Sequence, residues 1–478
     1  MKVWKCNMKQ EPVKSTLTNN LPAGQLILSV IRLSIPAIFA QLSSVAMQYI
    51  DSAMVGSLGA NASAAIGLVS TSTWLVGGLC TAFAAGFSVQ VAQLIGAEKN
   101  TAAKNVFRQS LASALIFGCV LAAAGAAISR SLPVWLGGDT AIHGDAFRYF
   151  LIYSLALPFV QVRQLSGGML QSSGDMKTPS ILNAAMCGFD ILFNALLIFP
   201  GRDVAFAGIS LHIPGANLGV TGAALGTALS EVVTAMAMLY MACFRSKTLH
   251  LKGGGSWKIQ KKCLKTALRI ALPVAMEHTA MCGAQVASTK IIAPLGTVSV
   301  AANSLAVTAE SFCYMPGYGI GTAATTLVGQ SIGAGKTRLA KRYAWIAVLL
   351  GTLVMTAMGA IMFGIAPLLL SWLTPVQEVR ALGTGVLRIE AFAEPFYAIS
   401  IVASGALRGA GDTLVPGLMN LCSMWGVRIT AAALLTPHFG LAGVWIAMCG
   451  ELCVRGILFL IRLLRGKWLQ IQVMDTQK

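Results

Sequence analysis

Six acids stand in stretches of this sequence where a charge is costly: Asp51, Asp190, Glu231, Glu277, Glu310 and Glu394. Asp51 lies within Gln48-Tyr49-Ile50-Asp51-Ser52-Ala53, in a run from Leu33 to Val55 that has no other charge. At ~1.5 Å per residue that run crosses a bilayer as a helix. A carboxylate at membrane depth costs on the order of 3 kcal/mol on insertion scales, so it reads as a functional site. Asp190 is followed four residues later by Asn194, which places both on one helix face. The competing reading gives Asp51 and Asp190 structural hydrogen bonds between helices. Such bonds average only ~0.6 kcal/mol in membranes, which compensates poorly for a buried charge. Function is therefore the reading adopted for Asp51 and Asp190, and Glu231 is left open.

The elements that position these acids follow from hydropathy. The chain is 56% hydrophobic and 11% charged, against roughly a quarter charged in a soluble domain. That composition excludes a soluble multidomain enzyme. Twelve spans are expected, near 33–55, 64–91, 106–129, 147–167, 179–200, 218–243, 268–292, 300–328, 343–369, 383–405, 416–436 and 440–464. The fold class expected is an all-α polytopic membrane protein of twelve transmembrane helices in two six-helix pseudo-symmetric lobes. Residues 1–32 form an N-terminal segment, 33–243 the first lobe, 244–267 a basic linker, 268–464 the second lobe and 465–478 a tail.

The net charge of +18 does not point to nucleic acid, because the basic residues are confined to particular loops. Lys2, Lys5, Lys9 and Lys14 precede the first span, and Arg462, Arg465, Lys467 and Lys478 end the chain. Between the lobes come Arg245, Lys247, Lys252, Lys258, Lys261, Lys262, Lys265 and Arg269. The loops on the other side hold only Arg130, Arg148, Arg202 and Arg380, with Arg388 at a helix edge. This is the positive-inside pattern and predicts a multi-pass protein of the cytoplasmic (inner) membrane with both termini cytoplasmic. The polar N-terminus lacks a small-residue cleavage site, so the first span is expected to be its own insertion signal. The linker, with Gly253-Gly254-Gly255-Ser256, reads as a hinge or tether.

The chain also repeats itself. At an offset of 237 residues, Pro36 meets Pro273 and Leu58-Gly59 meets Leu295-Gly296. Gln93 with Ile95-Gly96-Ala97 meets Gln330 with Ile332-Gly333-Ala334, and Gly174-Asp175 meets Gly411-Asp412. An even number of spans per repeat gives both lobes one orientation, related by an axis along the membrane normal. The same alignment removes a decoy: Gly333-Ala334-Gly335-Lys336-Thr337 resembles a phosphate-binding loop, but position 330 is Gln and the segment matches the loop after Gly96.

The repeat exposes a division of labour. Glu277, Glu310 and Glu394 stand where the first lobe has Ala40, Thr73 and Leu157, and Ser288 stands where it has Asp51. The three glutamates are expected to gather around a cation, with Lys290 as a competing ion-pair partner. Glu451 and Arg455, spaced i, i+4, are expected to neutralise each other. The eleven cysteines are scattered without a CxxC and read as membrane-buried thiols.

Taken in order, these pieces resemble the multidrug and toxic compound extrusion (MATE) transporters over nearly the whole chain. The matching residues are Pro36 with Asp51 and Gly56-x-x-Gly59, the paired Gln-x-Ile-Gly-Ala loops, and Leu407-Arg408-Gly409-Ala410-Gly411-Asp412 with its counterpart at 170–175. The resemblance implies secondary active efflux of amphipathic, cationic compounds by antiport with H⁺ or Na⁺, through alternating access between the lobes. It implies no enzyme activity, no cofactor beyond the coupling ion, small-molecule substrates and membrane lipids as partners, and a monomer. Similar transporters carry an Asn followed four residues later by an Asp in the fifth span; here the order is reversed to Asp190 then Asn194. Thr227 matches a hydroxyl that lines that pocket, and Pro36 a point of bending in the first helix. The alternative is a flippase of a lipid-linked or other amphipathic substrate with similar lobed architecture. The mainly acidic buried charges argue against it, since phosphates want a cationic cleft.

Overall fold

The computed structural model describes residues 22–206, 209–251 and 254–471, with the side chains of 202–214 left aside. Lys2, Lys5, Lys9, Lys14, Lys252, Gly253 and Lys478 fall outside the described residues. The first lobe consists of α1 (Ala23–Gly56), α2 (Ala60–Gly96), α3 (Asn100–Ile128), a short α4 (Leu132–Trp135), α5 (His143–Ser172), α6 (Lys177–Leu197) and α7 (Gly219–Tyr240). The second consists of α8 (Lys261–Ile292), α9 (Thr297–Gly333), α10 (Thr337–Leu373), α11 (Gln377–Ala391), α12 (Glu394–Ala410), α13 (Leu414–Cys422), α14 (Thr430–Phe439) and α15 (Leu441–Arg465).

Among the described residues eight helical runs are long and apolar enough to cross a membrane, one of them the run Leu414–Phe439 that joins α13 to α14. The spans that complete twelve are α5, α8, α9 and the α11–α12 pair, and these carry buried Glu310, Glu390 and Glu394 and half-buried Arg163 and Glu277. The tenth span, expected as one helix, is two: α11 ends at Ala391 and α12 begins at Glu394. The eleventh is interrupted by a π-helical turn over Ser423–Ile429. Between α6 and α7 the expected long loop is an antiparallel hairpin, β1 (Pro200–Phe206) with β2 (Ile209–Ala216), a small departure from an all-α chain.

The repeat persists in the turns. Gly59 (φ 112°) and Gly296 (φ 93°) turn the chain into the second helix of each lobe, and Gly174 (φ 89°) and Gly411 (φ 90°) into the fifth span. Those φ values are where a side chain is strained, so glycine recurs at the same offset.

Two boundaries differ from expectation. The first helix begins at Ala23, ten residues before the predicted edge, and its first turns bury Leu26 and Val30 in the second lobe's core with Ile320, Leu327, Tyr343 and Phe459. The matching positions of α8, Cys263 and Ala267, are buried in the first lobe's core with Phe87, Phe107 and Leu165. Each lobe's first helix thus starts inside the other lobe. The linker also packs: Leu249 is fully buried with the first-lobe core, and Gln109 Oε1 accepts from the Gln260 backbone N–H at 3.1 Å.

Candidate functional site

The first-lobe site is assembled from α1, α6 and α7. Asp190 and Asn194, one turn apart on α6, are both buried, at 0% and 1% exposure, and Asp51 is half-buried opposite them on α1. The Asn194 amide nitrogen donates to Asp51 Oδ1 at 2.9 Å and to Asp190 Oδ2 at 3.0 Å. Both of its N–H bonds are therefore spent on two carboxylates from different helices. Their oxygens lie no more than about 6 Å apart through that shared nitrogen, where like charges repel strongly. Asp190 receives a second bond from Ser230 Oγ at 3.2 Å.

Thr227, expected to line this pocket, does not reach it: its backbone carbonyl accepts from Ser230, and the hydroxyl at the carboxylates belongs to Ser230. The reason is helical phase. Gly226 and Ser230, four apart, face α6, whereas Thr227 is turned about 100° from Gly226 and about 60° from Ser230, to one side of that face. Gly226 is what lets α7 approach, since a Cβ there would sit 2.1 Å from Asn194 Oδ1. Pro36 lies inside a continuous α1, two residues before Ile38, whose backbone meets Gly319 of α9 (2.7 Å from a Cβ built there).

Glu231, left open from sequence, belongs to a separate cluster. Arg163 on α5 holds it through two bonds, Nη2 to Oε1 at 3.0 Å and Nε to Oε2, and reaches Asn183 Oδ1 at 3.4 Å. This is a bidentate, partly buried ion pair, and Arg163 was not singled out from sequence.

In the second lobe the three expected glutamates divide. Glu310 and Glu394 are electrostatic neighbours, and Glu390, which sequence reasoning missed, joins them. Glu390 and Glu394 are 0% exposed and flank the break between α11 and α12; none of their four carboxyl oxygens has a hydrogen-bond partner among the described residues. Gly359 of α10 makes room, because a Cβ there would lie 3.0 Å from Glu394 Cγ. Glu277 is not part of this group. It accepts from Asn420 Nδ2 at 2.6 Å and faces Arg408 Nη2 at 3.6 Å, because its position on α8 points it toward α12 and α13. Lys290 is exposed and pairs with no described carboxylate. Glu451 is not neutralised by Arg455 alone: it also accepts from Arg428 Nε at 3.1 Å and Ser423 Oγ at 2.7 Å.

The lobes meet at the end of the bundle that carries the linker. Gln93 of α2 donates to the Gly409 carbonyl at 3.3 Å, and Gln330 of α9 donates to the Ser172 carbonyl at 2.8 Å. Between them Gly96 and Gly333 bring backbone to backbone: a Cβ on either would lie 1.9 Å from the carbonyl oxygen of Gln330 or Gln93. Nearer the hairpin end, Tyr49 donates to the Thr308 carbonyl at 2.6 Å and stacks on Phe312.

The family model described as MatE matches the chain twice, over residues 36–196 and 273–434, more than half its length and starting one repeat offset apart. A Thermotoga maritima protein described as a probable multidrug resistance protein NorM is 27% identical over 94% of this chain and 94% of its own. Multidrug resistance protein MdtK of Yersinia pseudotuberculosis is 28% identical, covering 93% of this chain and 96% of itself. Among solved structures, a Vibrio cholerae MATE transporter aligns with a TM-score of 0.85 at 17% identity, over 94% of this chain and 99% of that one. The fold is that of the solved transporters, and the doubled family match coincides with the two lobes. This multi-pass membrane protein belongs to the MATE family of transporters.

Proposed function

We propose that this transporter exports amphipathic, cationic compounds across the inner membrane in exchange for H⁺ or Na⁺, with its termini and linker in the cytoplasm. The observation that carries the reading is the single amide of Asn194 shared between Asp51 and Asp190. Two carboxylates held by one neutral donor form a site whose charge an arriving cation or proton can change. With the site empty, its negative charge attracts a cationic substrate; with the ion in place that attraction is lost and the substrate leaves. The Asp51–Asn194 bond joins α1 to α6, so the same event alters how α1 is held and lets it bend near Pro36. Reversing the Asp and Asn relative to the resembling transporters leaves this link available, because Asn194 is the residue that reaches α1.

A second ion-handling site in the other lobe is supported by Glu310, Glu390 and Glu394. Discontinuous helices mark ion and substrate sites in secondary transporters, because the break frees backbone groups at membrane depth. Here the break falls between two carboxyls that have no hydrogen-bond donor among the described residues. One charge crossing 100 mV supplies ~2.3 kcal/mol, about 50-fold in substrate concentration.

The test is transport of a fluorescent cation in everted vesicles under an imposed pH gradient or an imposed Na⁺ gradient. One of the two is expected to drive it, and no response to either refutes antiport. Asp51→Asn is expected to abolish the gradient response; undiminished transport would remove Asp51 from the coupling role.

A further inference from the structure

Both lobes place an asparagine at the same repeat position, Asn183 and Asn420, beside an arginine and a carboxylate, yet the two clusters are finished differently. In the first lobe each of the three guanidinium nitrogens of Arg163 donates to Glu231 or Asn183. In the second lobe the arginines border a cavity of about 90 Å³ between α8, α9, α12, α13 and α15, lined by Arg408, Arg455, Glu277, Asn420, Tyr318 and Tyr397 among others. Arg408 faces Glu277 at 3.6 Å, beyond hydrogen-bond length, while the other Glu277 oxygen is held by Asn420. Arg455 is 6% exposed and lies against the Tyr397 ring, 5.3 Å from its centroid. Its Nε is ion-paired with Glu451 Oε1 at 3.1 Å but is misaligned, and makes no hydrogen bond among the described residues. Glu451 is already engaged by Arg428 and Ser423.

We propose that this cavity binds a small oxyanion, a carboxylate or phosphate group, between Arg408 and Arg455. Two planar guanidinium forks with unspent donors suit such a group, which takes paired N–H bonds that a single ammonium cannot match. A water needs roughly 10–15 Å³ of such space, so the cavity holds several water equivalents, the size of acetate or phosphate. The lining favours an anion, since two guanidinium groups face one carboxylate, Glu277, which is itself tied to Asn420. Glu451 is not part of the lining but is ion-paired with Arg455 at 3.1 Å, a charge it shares with Arg428 at 3.0 Å, and Glu310 is a further electrostatic neighbour of Arg455 outside the lining. The first lobe has Gln171 and Ala40 at the positions of Arg408 and Glu277, so the site belongs to one lobe alone.

The test is thermal unfolding of the purified full chain in detergent, with sodium phosphate or acetate titrated against sodium chloride at constant ionic strength and pH. A saturable rise in the unfolding midpoint over chloride is expected, and Arg408→Gln is expected to weaken it about tenfold or more. Glu277→Gln removes the one carboxylate in the cavity lining and is expected to tighten binding, so the proposal is tested even if Arg408→Gln folds poorly. Nanodiscs with and without phosphatidylglycerol form the second arm. A shift there that Arg408→Gln removes, without one from free phosphate, assigns the oxyanion to a lipid headgroup. No saturable response in either arm, or a response that both substitutions leave unchanged, overturns the site.

Discussion

Gly96→Ala tests whether the lobes are held together at the linker end by backbone contact. The new methyl would sit 1.9 Å from the Gln330 carbonyl oxygen, well inside the 3.0 Å that real Cβ atoms respect. The obstacle is helix backbone, so no side chain can swing aside, and α2 and α9 must part by more than about 1 Å to reach ordinary contact. Parting them also strains the bonds from Gln330 to Ser172 at 2.8 Å and from Thr326 Oγ1 to the Gln171 carbonyl at 3.1 Å. Overpacking of this kind costs about 1–3 kcal/mol, and the cost falls only on the arrangement in which the two helices touch. The equilibrium is therefore expected to move away from that arrangement by about 5- to 140-fold. Spectroscopic labels at exposed Asn100 and Thr337, which begin α3 and α10, read the separation of the lobes directly. The expected result is a population with longer label distances in Gly96→Ala, matched by Gly333→Ala because its clash with Gln93 is equivalent. Unchanged distances in both variants would refute the argument that this crossing sets the closed geometry.

Tyr49→Phe acts at the opposite level of the interface: losing the 2.6 Å bond to Thr308 is expected to favour separation there by about 3- to 16-fold, read by labels near the hairpin end. Arg163→Met leaves Glu231 buried without its cation, so a loss of about 3–5 kcal/mol in unfolding free energy is expected, with Arg163→Met/Glu231→Gln recovering much of it. Gly226→Ala pushes on Asn194 and is expected to reduce gradient-driven efflux while expression is retained, whereas Thr227→Ala, whose hydroxyl misses the cluster, leaves efflux near the wild-type rate. Glu394→Gln keeps the shape and removes an ionisable group, and slower efflux under the driving gradient is expected, with wild-type rates counting against a second-lobe ion site.

Some of the site was legible because its signals are local. Asp51 and Asp190 stand out as charges in apolar runs, and Asn194 follows from a four-residue spacing. Glu390 escaped because it sits in the polar stretch before the helix break, where a charge near Arg388 looks like a solvated face. Arg163 escaped for the complementary reason, since its partner Glu231 is 68 residues away on a different helix. Glu277 was misgrouped because span number says which helix a residue is on, but not which neighbour it faces. Thr227 and Ser230 differ only by phase on one helix, which a motif match does not resolve.

The sequence by itself determined the twelve spans, the two-lobe repeat and the confinement of basic residues to particular loops, because these depend on composition and periodicity along one dimension. Tertiary structure alone decided that α1 and α8 begin in each other's lobes and that the tenth span breaks between two glutamates. It also decided which carboxylates share a donor and which arginines are left with donors to spare. Those outcomes depend on how helices rotate and cross when close-packed, and a repeat offset carries no information about rotation.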